Sequence, residues 1–319
     1  MQPVDDRSSF LVFSGNANPA LGAAIAREMH TSLAAITVST FRDGETRVVV
    51  HSDVGGRDVF VIQPTCPPVN QNLVELLLML DAFRRAGAAR CTAVLPYYGY
   101  SRQEKRTTPQ EPISAKLVAN LLAVAGADQV ITMDLTVGAI EGFFDLPLVH
   151  LHAVPVLARA FAGVDPDTVA IVAPDLGAVK RAEAFQQLLA PQAPVAVVFK
   201  ERPHPDEAAA ADMVGNVRGR QAIIVDDIIS TGATLFGAAQ MVLQRGARSV
   251  AACATHGVFA PGAVEALEAS PLSRIVVTDT IPVEPRGKLQ VVSVASLFVE
   301  AIRRIHGELR LVTMASQAV

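Results

Sequence analysis

Cysteine is scarce in this chain, and the three present, Cys66, Cys91 and Cys253, lie far apart and form neither a CxxC pair nor a zinc-ligand spacing. They read as buried small hydrophobic side chains, with no structural disulfide. Positive charge is not in excess: the formal net charge of −4 offers no general attraction for nucleic acid or anionic lipid, so an anionic ligand must be held by a local site. Long apolar runs are missing as well. The most apolar stretch, around Leu73 to Leu80, is cut short by Asp81, Arg84 and Arg85, well under the roughly 20 residues that span a bilayer. Asp5, Asp6 and Arg7 precede any apolar segment, unlike a secretion signal. These features lead to the expectation of a cytoplasmic protein with no membrane and no nucleic-acid partner. Neither a GxxxxGKS/T phosphate loop nor a GxGxxG dinucleotide turn occurs anywhere in the chain.

What is present points to an ordered protein. Half of the residues are hydrophobic and 18% are charged, the balance of a globular chain. The 319 residues suit two domains with cores of their own, at roughly 100–200 residues each. Short β-branched runs alternate with longer helical patterns: FVIQ near Phe60, a helix from about Asn72 to Arg85, TAVLPYY, a helix near residues 112–125, and QVITMDL. The second half repeats the habit with TVAIVAP, a helix through about Leu189, APVAVVF, QAIIVDD, a helix from about Gly232 to Arg245, SVAACATHG and RIVVTDT. Such alternation predicts parallel βαβ units, so the fold class is α/β.

The two halves also echo each other. RRAGAARCTAVLPYYGY from Arg84 and LQRGARSVAACATHGVF from Leu243 share a pattern in which a glycine, Gly87 or Gly246, ends a helix and a buried strand follows. The repeat distance is close to half the chain. It predicts two similar α/β domains, 1–150 and 151–319, with the last helical pattern, from about Ser293 to His306, free to return to either. No charged, glycine-rich or proline-rich linker separates them.

The strongest chemical signal is VDDIISTGAT, residues 225–234, between the apolar strand QAII and a helix. Ser230, Thr231, Gly232, Ala233 and Thr234 place backbone N–H groups, small side chains and hydroxyls at a helix N-terminus, where a phosphate is favoured. Asp226 and Asp227 sit toward the carboxyl end of the strand, the usual ligand edge of a parallel sheet, where they can hold sugar hydroxyls or a magnesium ion.

This segment resembles the phosphoribosyl-diphosphate-binding loop shared by phosphoribosyltransferases and phosphoribosyl-diphosphate synthetases. The first half decides between them: FSGNANPAL at Phe13, FRDGETRVVV at Phe41, PYYGYSRQEKR at Pro96 and EPISAKLVANLL at Glu111 resemble the ribose-phosphate pyrophosphokinase (phosphoribosyl-diphosphate synthetase) family. TMDLTVGAIEGFFDLP, APDLGAVKR, VFKERP and ATHGVF agree in order, and the resemblance covers roughly residues 10–307. It implies two tandem phosphoribosyltransferase-like domains, each a mainly parallel sheet flanked by helices, with the active site between them. The implied reaction moves the β,γ-diphosphoryl group of ATP onto ribose 5-phosphate with Mg²⁺ as cofactor. The resemblance further implies a homo-oligomer, in this family often a hexamer.

Carried over position by position, the resemblance implies that Asp43, Glu45, Arg102 and Gln103 contact ATP and that Asp175 meets magnesium. Lys200 and Arg202 would be the catalytic pair, and Asp226, Asp227 and Ser230 to Thr234 would hold ribose 5-phosphate. Cations at the transferred group suit chemistry in which charge on three phosphates must be screened while bonds change in line. Thr136 stands where the family has a histidine at the metal and ATP phosphates. A hydroxyl supplies neither an imidazole nitrogen nor its cationic form, so Thr136 implies reduced activity. Ser230 replaces the family's usual acidic residue, Ala178 a glycine, and TTPQEP lacks the family's common arginines. Gly55, Ala139, Val149 and the LRLVTM segment depart together from the family's phosphate and ADP regulatory positions, which implies no activation by phosphate. Two rival readings are a catalytically weak regulatory paralogue, favoured by Thr136, and a phosphoribosyltransferase, disfavoured by the first half.

Overall fold

The computed structural model of the protein describes residues 10–201 and 210–307, without the side chains of residues 200, 201, 210 and 211. These residues form two compact units, divided between Leu151 and His152 and again between Ser293 and Val294.

The first unit opens with β1 (Phe10–Ser14) and α1 (Pro19–Glu28). Asn18 starts α1 by accepting the Leu21 N–H on Oδ1 at 3.2 Å, with proline in the first helical position where no amide hydrogen is needed. The antiparallel hairpin β2 (Ile36–Thr40) and β3 (Thr46–Val50) follows, then β4 (Asp58–Ile62), α2 (Val69–Arg85), β5 (Arg90–Leu95), α3 (Ser114–Ala125), β6 (Gln129–Met133) and β7 (Leu148–Leu151). Its main sheet has the order β1-β4-β5-β6-β7, and every pair is parallel. Helical spacing puts Leu73, Leu76, Met79, Leu80 and Phe83 on one face of α2, and all five are buried. Phe83 packs on Phe13 of β1 with ring centroids 4.6 Å apart. In β4 the run Val59 to Ile62 is buried without alternation, as expected of a parallel strand covered on both faces.

The second unit contains α4 (Val154–Ala160), β8 (Val169–Ala173), α5 (Val179–Leu189), β9 (Val195–Glu201), β10 (Ala210–Val214), β11 (Gln221–Ile229), α6 (Ala233–Gln244), β12 (Ser249–Gly257), α7 (Ala263–Ala269), β13 (Ile275–Thr278) and β14 (Leu289–Val292). The sheet order is β10-β9-β8-β11-β12-β13-β14, parallel except for β10 against β9. The final helix, α8 (Ala295–His306), belongs to the first unit, where Arg303 donates to the Glu28 carbonyl of α1 at 3.3 Å and His306 Nδ1 meets Asp58 Oδ2 of β4 at 3.0 Å.

From β1 and from β8 onward the two units repeat one order of elements: strand, helix, antiparallel pair, strand, helix, strand, helix, strand, strand. They differ in that β9 and β10 join the main sheet while β2 and β3 stand as a separate pair. The repetition reaches single hydrogen bonds. Arg57 N–H donates to Val54 O at 3.0 Å before β4, and Arg220 N–H to Val217 O at 3.1 Å before β11. Gly56 N–H reaches Gly87 O and Gly219 N–H reaches Gly246 O, both at 2.8 Å. The sequence echo at Gly87 and Gly246 therefore marks one structural device used twice. The three cysteines are free and buried, as the sequence suggests, and burial pushes the Cys66 and Cys91 thiols up to about 11 and about 12.

Gly87 and Gly246 have φ of 81° and 89°, a region in which a Cβ is unfavourable. A Cβ at Gly87 meets nothing within 4 Å, and one at Gly246 meets only ordinary contacts with Arg218 from 3.5 Å outward. The backbone alone sets the penalty, so Gly87→Ala and Gly246→Ala should each destabilise their own unit by about 1 kcal/mol. Urea unfolding of the two variants checks this, and a loss confined to one would break the equivalence of the two turns.

Candidate active site

The parallel run of β9, β8, β11 and β12 brings their carboxyl ends to one edge of the second unit's sheet, where open α/β sheets hold ligands. Asp175 follows β8. It is exposed, and its Oδ1 accepts the Ala178 N–H at 3.0 Å, which caps the short 3-10 turn Leu176–Ala178 before α5. The backbone of Lys200 lies near the end of β9, paired with Ala211. The Lys200 side chain and all of Arg202 lie outside the described residues, as does the LRLVTM segment.

The aspartates of VDDIISTGAT lie near the carboxyl end of β11, as the sequence suggests, and the strand runs on two residues past them to Ile229. The ladder pairs Asp226 with Ala254 and Ile228 with His256 and skips Asp227. At that point Asp227 N–H turns to Asp226 Oδ1 at 2.9 Å, so a side chain replaces the ladder acceptor. Arg181 from α5 reaches both carboxylates, with Nη1 3.9 Å from Asp226 Oδ1 and 3.6 Å from Asp227 Oδ1. Burial, reinforced by the neighbouring Asp227 charge, pushes the Asp226 carboxyl up to about 8.

The loop after β11 is pinned from beneath. Ile229 O accepts from Val258 and Phe259 N–H at 2.9 and 3.1 Å, and Ser230 O from Ala260 N–H at 3.0 Å. Gly232 has φ of 81°, and a Cβ there would come 3.1 Å from the Phe236 ring. Glycine thus meets both a backbone and a space requirement. Thr231, Ala233 and Thr234 are exposed at the start of the twelve-residue α6, whose first N–H groups have no intrahelical acceptors. Thr231 Oγ1 accepts the Ala233 N–H at 3.4 Å. This end of α6 has the donors and the dipole sign to hold a phosphate.

In the first unit, Arg102 and Gln103 line a cavity of about 570 Å³ together with Val69, Asn70, Tyr97 and Tyr100. Gln103 is fixed by Ser114 Oγ, which donates to its Oε1 at 2.6 Å, and Tyr100 hydrogen-bonds Asn70. Asp43 and Glu45 are on a different element, the exposed β2–β3 turn, where Glu45 N–H donates to Asp43 Oδ1 at 3.2 Å. They do not line this cavity. Thr136 follows β6, and its Oγ1 lies 3.0 Å from the hydroxyl of the buried Ser101. The departure at Thr136 is therefore part of a small hydroxyl pair.

Sequence reasoning missed Arg181, although it stands inside the APDLGAVKR stretch already singled out, and it missed the cavity residues Asn70, Tyr97 and Tyr100. It also missed a buried polar network in which Glu75 accepts from Asn16 N–H at 2.7 Å and from Gln63 Nε2 at 2.9 Å.

The raised Asp226 carboxyl has a consequence for stability. The folded chain holds this proton more tightly than the unfolded chain, so the group's contribution falls as pH rises from about 4 to about 8. Asp226→Asn removes that slope. Melting temperatures of the two proteins should diverge across this window, the wild type losing ground toward pH 8; a constant difference would place the Asp226 titration at an ordinary carboxylate value.

Residues 10–126 match the family model for the N-terminal domain of ribose phosphate pyrophosphokinase, and residues 196–314 match that of the phosphoribosyl synthetase-associated domain. A ribose-phosphate pyrophosphokinase of Caldanaerobacter subterraneus subsp. tengcongensis is 48% identical over 303 residues, 94% of this chain and 95% of the relative. One of Clostridium acetobutylicum is 44% identical over 93% of this chain and 94% of the relative. The crystal structure of phosphoribosylpyrophosphate synthetase from Mycobacterium smegmatis superposes with a TM-score of 0.89 at 37% identity, covering 94% of this chain and all of that one. The match extends through both units, and the chain belongs to the ribose-phosphate pyrophosphokinase family.

Proposed function

We propose that this chain is a ribose-phosphate diphosphokinase: it transfers the β,γ-diphosphoryl group of ATP to the C1 hydroxyl of ribose 5-phosphate. A bond forms between the C1 oxygen and the β-phosphorus, and the bond from that phosphorus to the α-phosphate oxygen breaks. The products are 5-phosphoribosyl 1-diphosphate and AMP. The observation that carries the reading is the coincidence, at one sheet edge, of the Asp226–Asp227 pair with the exposed first turn of α6. A sugar phosphate presents those two chemistries together, hydroxyl donors at one end and a dianion at the other.

In this reading Ser230, Thr231, Gly232, Ala233 and Thr234 hold the 5-phosphate, and Asp226 and Asp227 accept from ribose hydroxyls. Arg102 and Gln103 bind ATP in the cavity that they line, assisted by Asp43 and Glu45. Asp175 suits Mg²⁺ through the hard oxygen chemistry of an exposed carboxylate beside the Asp226–Asp227 edge. When bound, that ion neutralises phosphate charge. Lys200 and Arg202 hold cationic charge at the transferred group. The chain acts in the cytoplasm and as a homo-oligomer; among the described residues no helix is long and apolar enough to cross a membrane. The phosphoribosyltransferase reading is set aside by the family match over residues 10–126.

Incubating the protein with ATP, Mg²⁺ and ribose 5-phosphate should release AMP and phosphoribosyl diphosphate in equal amounts, followed by phosphorus NMR. ATP consumption without a new C1 diphosphate signal would contradict the assignment. Lys200→Ala and Arg202→Ala should each lower turnover roughly 10²–10³-fold with little change in ATP affinity, as for loss of a transition-state donor. Near-normal turnover in both would remove them from the chemistry.

A further inference from the structure

Arg181 is placed where its own helix disfavours it. It lies in the first turn of α5, which carries no acidic residue, and a cation there opposes the positive end of the helix dipole. Its side chain is only 15% exposed, so the charge is also largely withdrawn from water. Both penalties are offset by one contact set: Nη1 lies 3.9 Å from Asp226 Oδ1 and 3.6 Å from Asp227 Oδ1.

Those carboxylates are themselves in an unusual relation. Neighbouring residues of a strand point to opposite faces, yet here both reach one guanidinium nitrogen. The ladder gap at Asp227 and the turn of its N–H onto Asp226 Oδ1 accompany this arrangement. Two carboxylates facing one cation leave acceptor capacity, since the contacts described here engage Oδ1 of each and a carboxylate has two oxygens. A planar guanidinium anchored on a helix holds that capacity in a fixed direction through Nη1, whereas a lysine's ammonium on a flexible stem holds it less well.

We propose that Arg181 is a positioning residue for the sugar phosphate: by bridging Asp226 and Asp227 it fixes both carboxylates to accept the ribose hydroxyls, without itself touching the transferred group. The inference rests on the proposed function. It adds a residue from α5 to a site otherwise built by the β11–α6 segment.

The test compares wild type, Arg181→Gln and Arg181→Lys by calorimetric titration with ribose 5-phosphate and, separately, with Mg-ATP, alongside melting temperatures and turnover. Arg181→Gln should weaken ribose 5-phosphate by roughly tenfold or more, the scale of a lost charge-assisted contact, and leave ATP affinity within about twofold. Arg181→Lys, which keeps the charge without the planar guanidinium, should recover part of the loss. A purely structural role would lower the melting temperature and weaken both ligands together, in both variants, and that would overturn the proposal. So would wild-type ribose 5-phosphate affinity in Arg181→Gln. If Arg181→Gln does not fold, Arg181→Lys decides alone: selective weakening of the sugar phosphate supports the proposal, and unchanged binding overturns it. A wild type that binds ribose 5-phosphate but forms no product would defeat the proposed reaction and leave the Arg181 comparison intact, and one that does not bind it would overturn both.

Discussion

Two carboxylates on consecutive residues near the end of β11, largely withdrawn from water and sharing one guanidinium, set the terms for the rest of the second unit. Burying a charge is unfavourable by several kcal/mol unless it is paired and hydrogen-bonded. Burying two side by side raises the demand further. The chain meets it in part with Arg181 and with the Asp227 N–H, and in part by pushing the Asp226 carboxyl up to about 8. The remaining capacity faces an edge where α6 offers free N–H groups, so the cost of burying the acids and the ligand preference have the same origin. In the proposed function a sugar phosphate supplies hydroxyl donors to the acids and an anion to the helix. The acids alone would repel the phosphate, and the separation of the two chemistries along β11 and α6 keeps them from cancelling.

The fold supplies this edge twice and uses it differently each time. Both units repeat one order of strands and helices, down to the turns at Arg57 and Arg220 and the glycines at 87 and 246. In the second unit the strand after the antiparallel pair carries two aspartates near its end and leads into a small-residue loop. In the first, the corresponding strand β4 leads into Gln63, whose amide lies in a closed network with Glu75 and Asn16. Acceptors and donors that could face a ligand there face one another. The first unit's open cavity lies elsewhere, beyond β5, beside Arg102 and Gln103. The scaffold is thus repeated, and the loop chemistry differs between its two copies.

How much of this was legible depended on whether the signal was local. The apolar face of α2, the buried strands β5 and β12, and the glycines that end α2 and α6 follow from spacing within a dozen residues, and they are where the sequence places them. β7 and β14 are strands of four residues each, too short for a period to show. The β2–β3 hairpin was overlooked although its turn holds Asp43-Gly44, a common turn pair, because its strands are half exposed and alternate weakly. The small-residue loop between β11 and α6 was readable because small residues after a strand are a local pattern. Its strand boundary was not, since the continuation to Ile229 depends on pairing with β12. Arg181 depends on packing between α5 and β11, and no spacing in the sequence encodes that approach.

The central claim is that the two copies of the fold hold different ligands, the sugar phosphate at the β11–α6 edge of the second unit and ATP at the Arg102–Gln103 cavity of the first. Isothermal titration of each ligand into Thr234→Val and Arg102→Ala tests it most directly. The account predicts a crossed result, with Thr234→Val weakening ribose 5-phosphate by roughly tenfold and Arg102→Ala weakening ATP by at least as much, each leaving the other ligand nearly unchanged. Equal weakening of both ligands in both variants would contradict it.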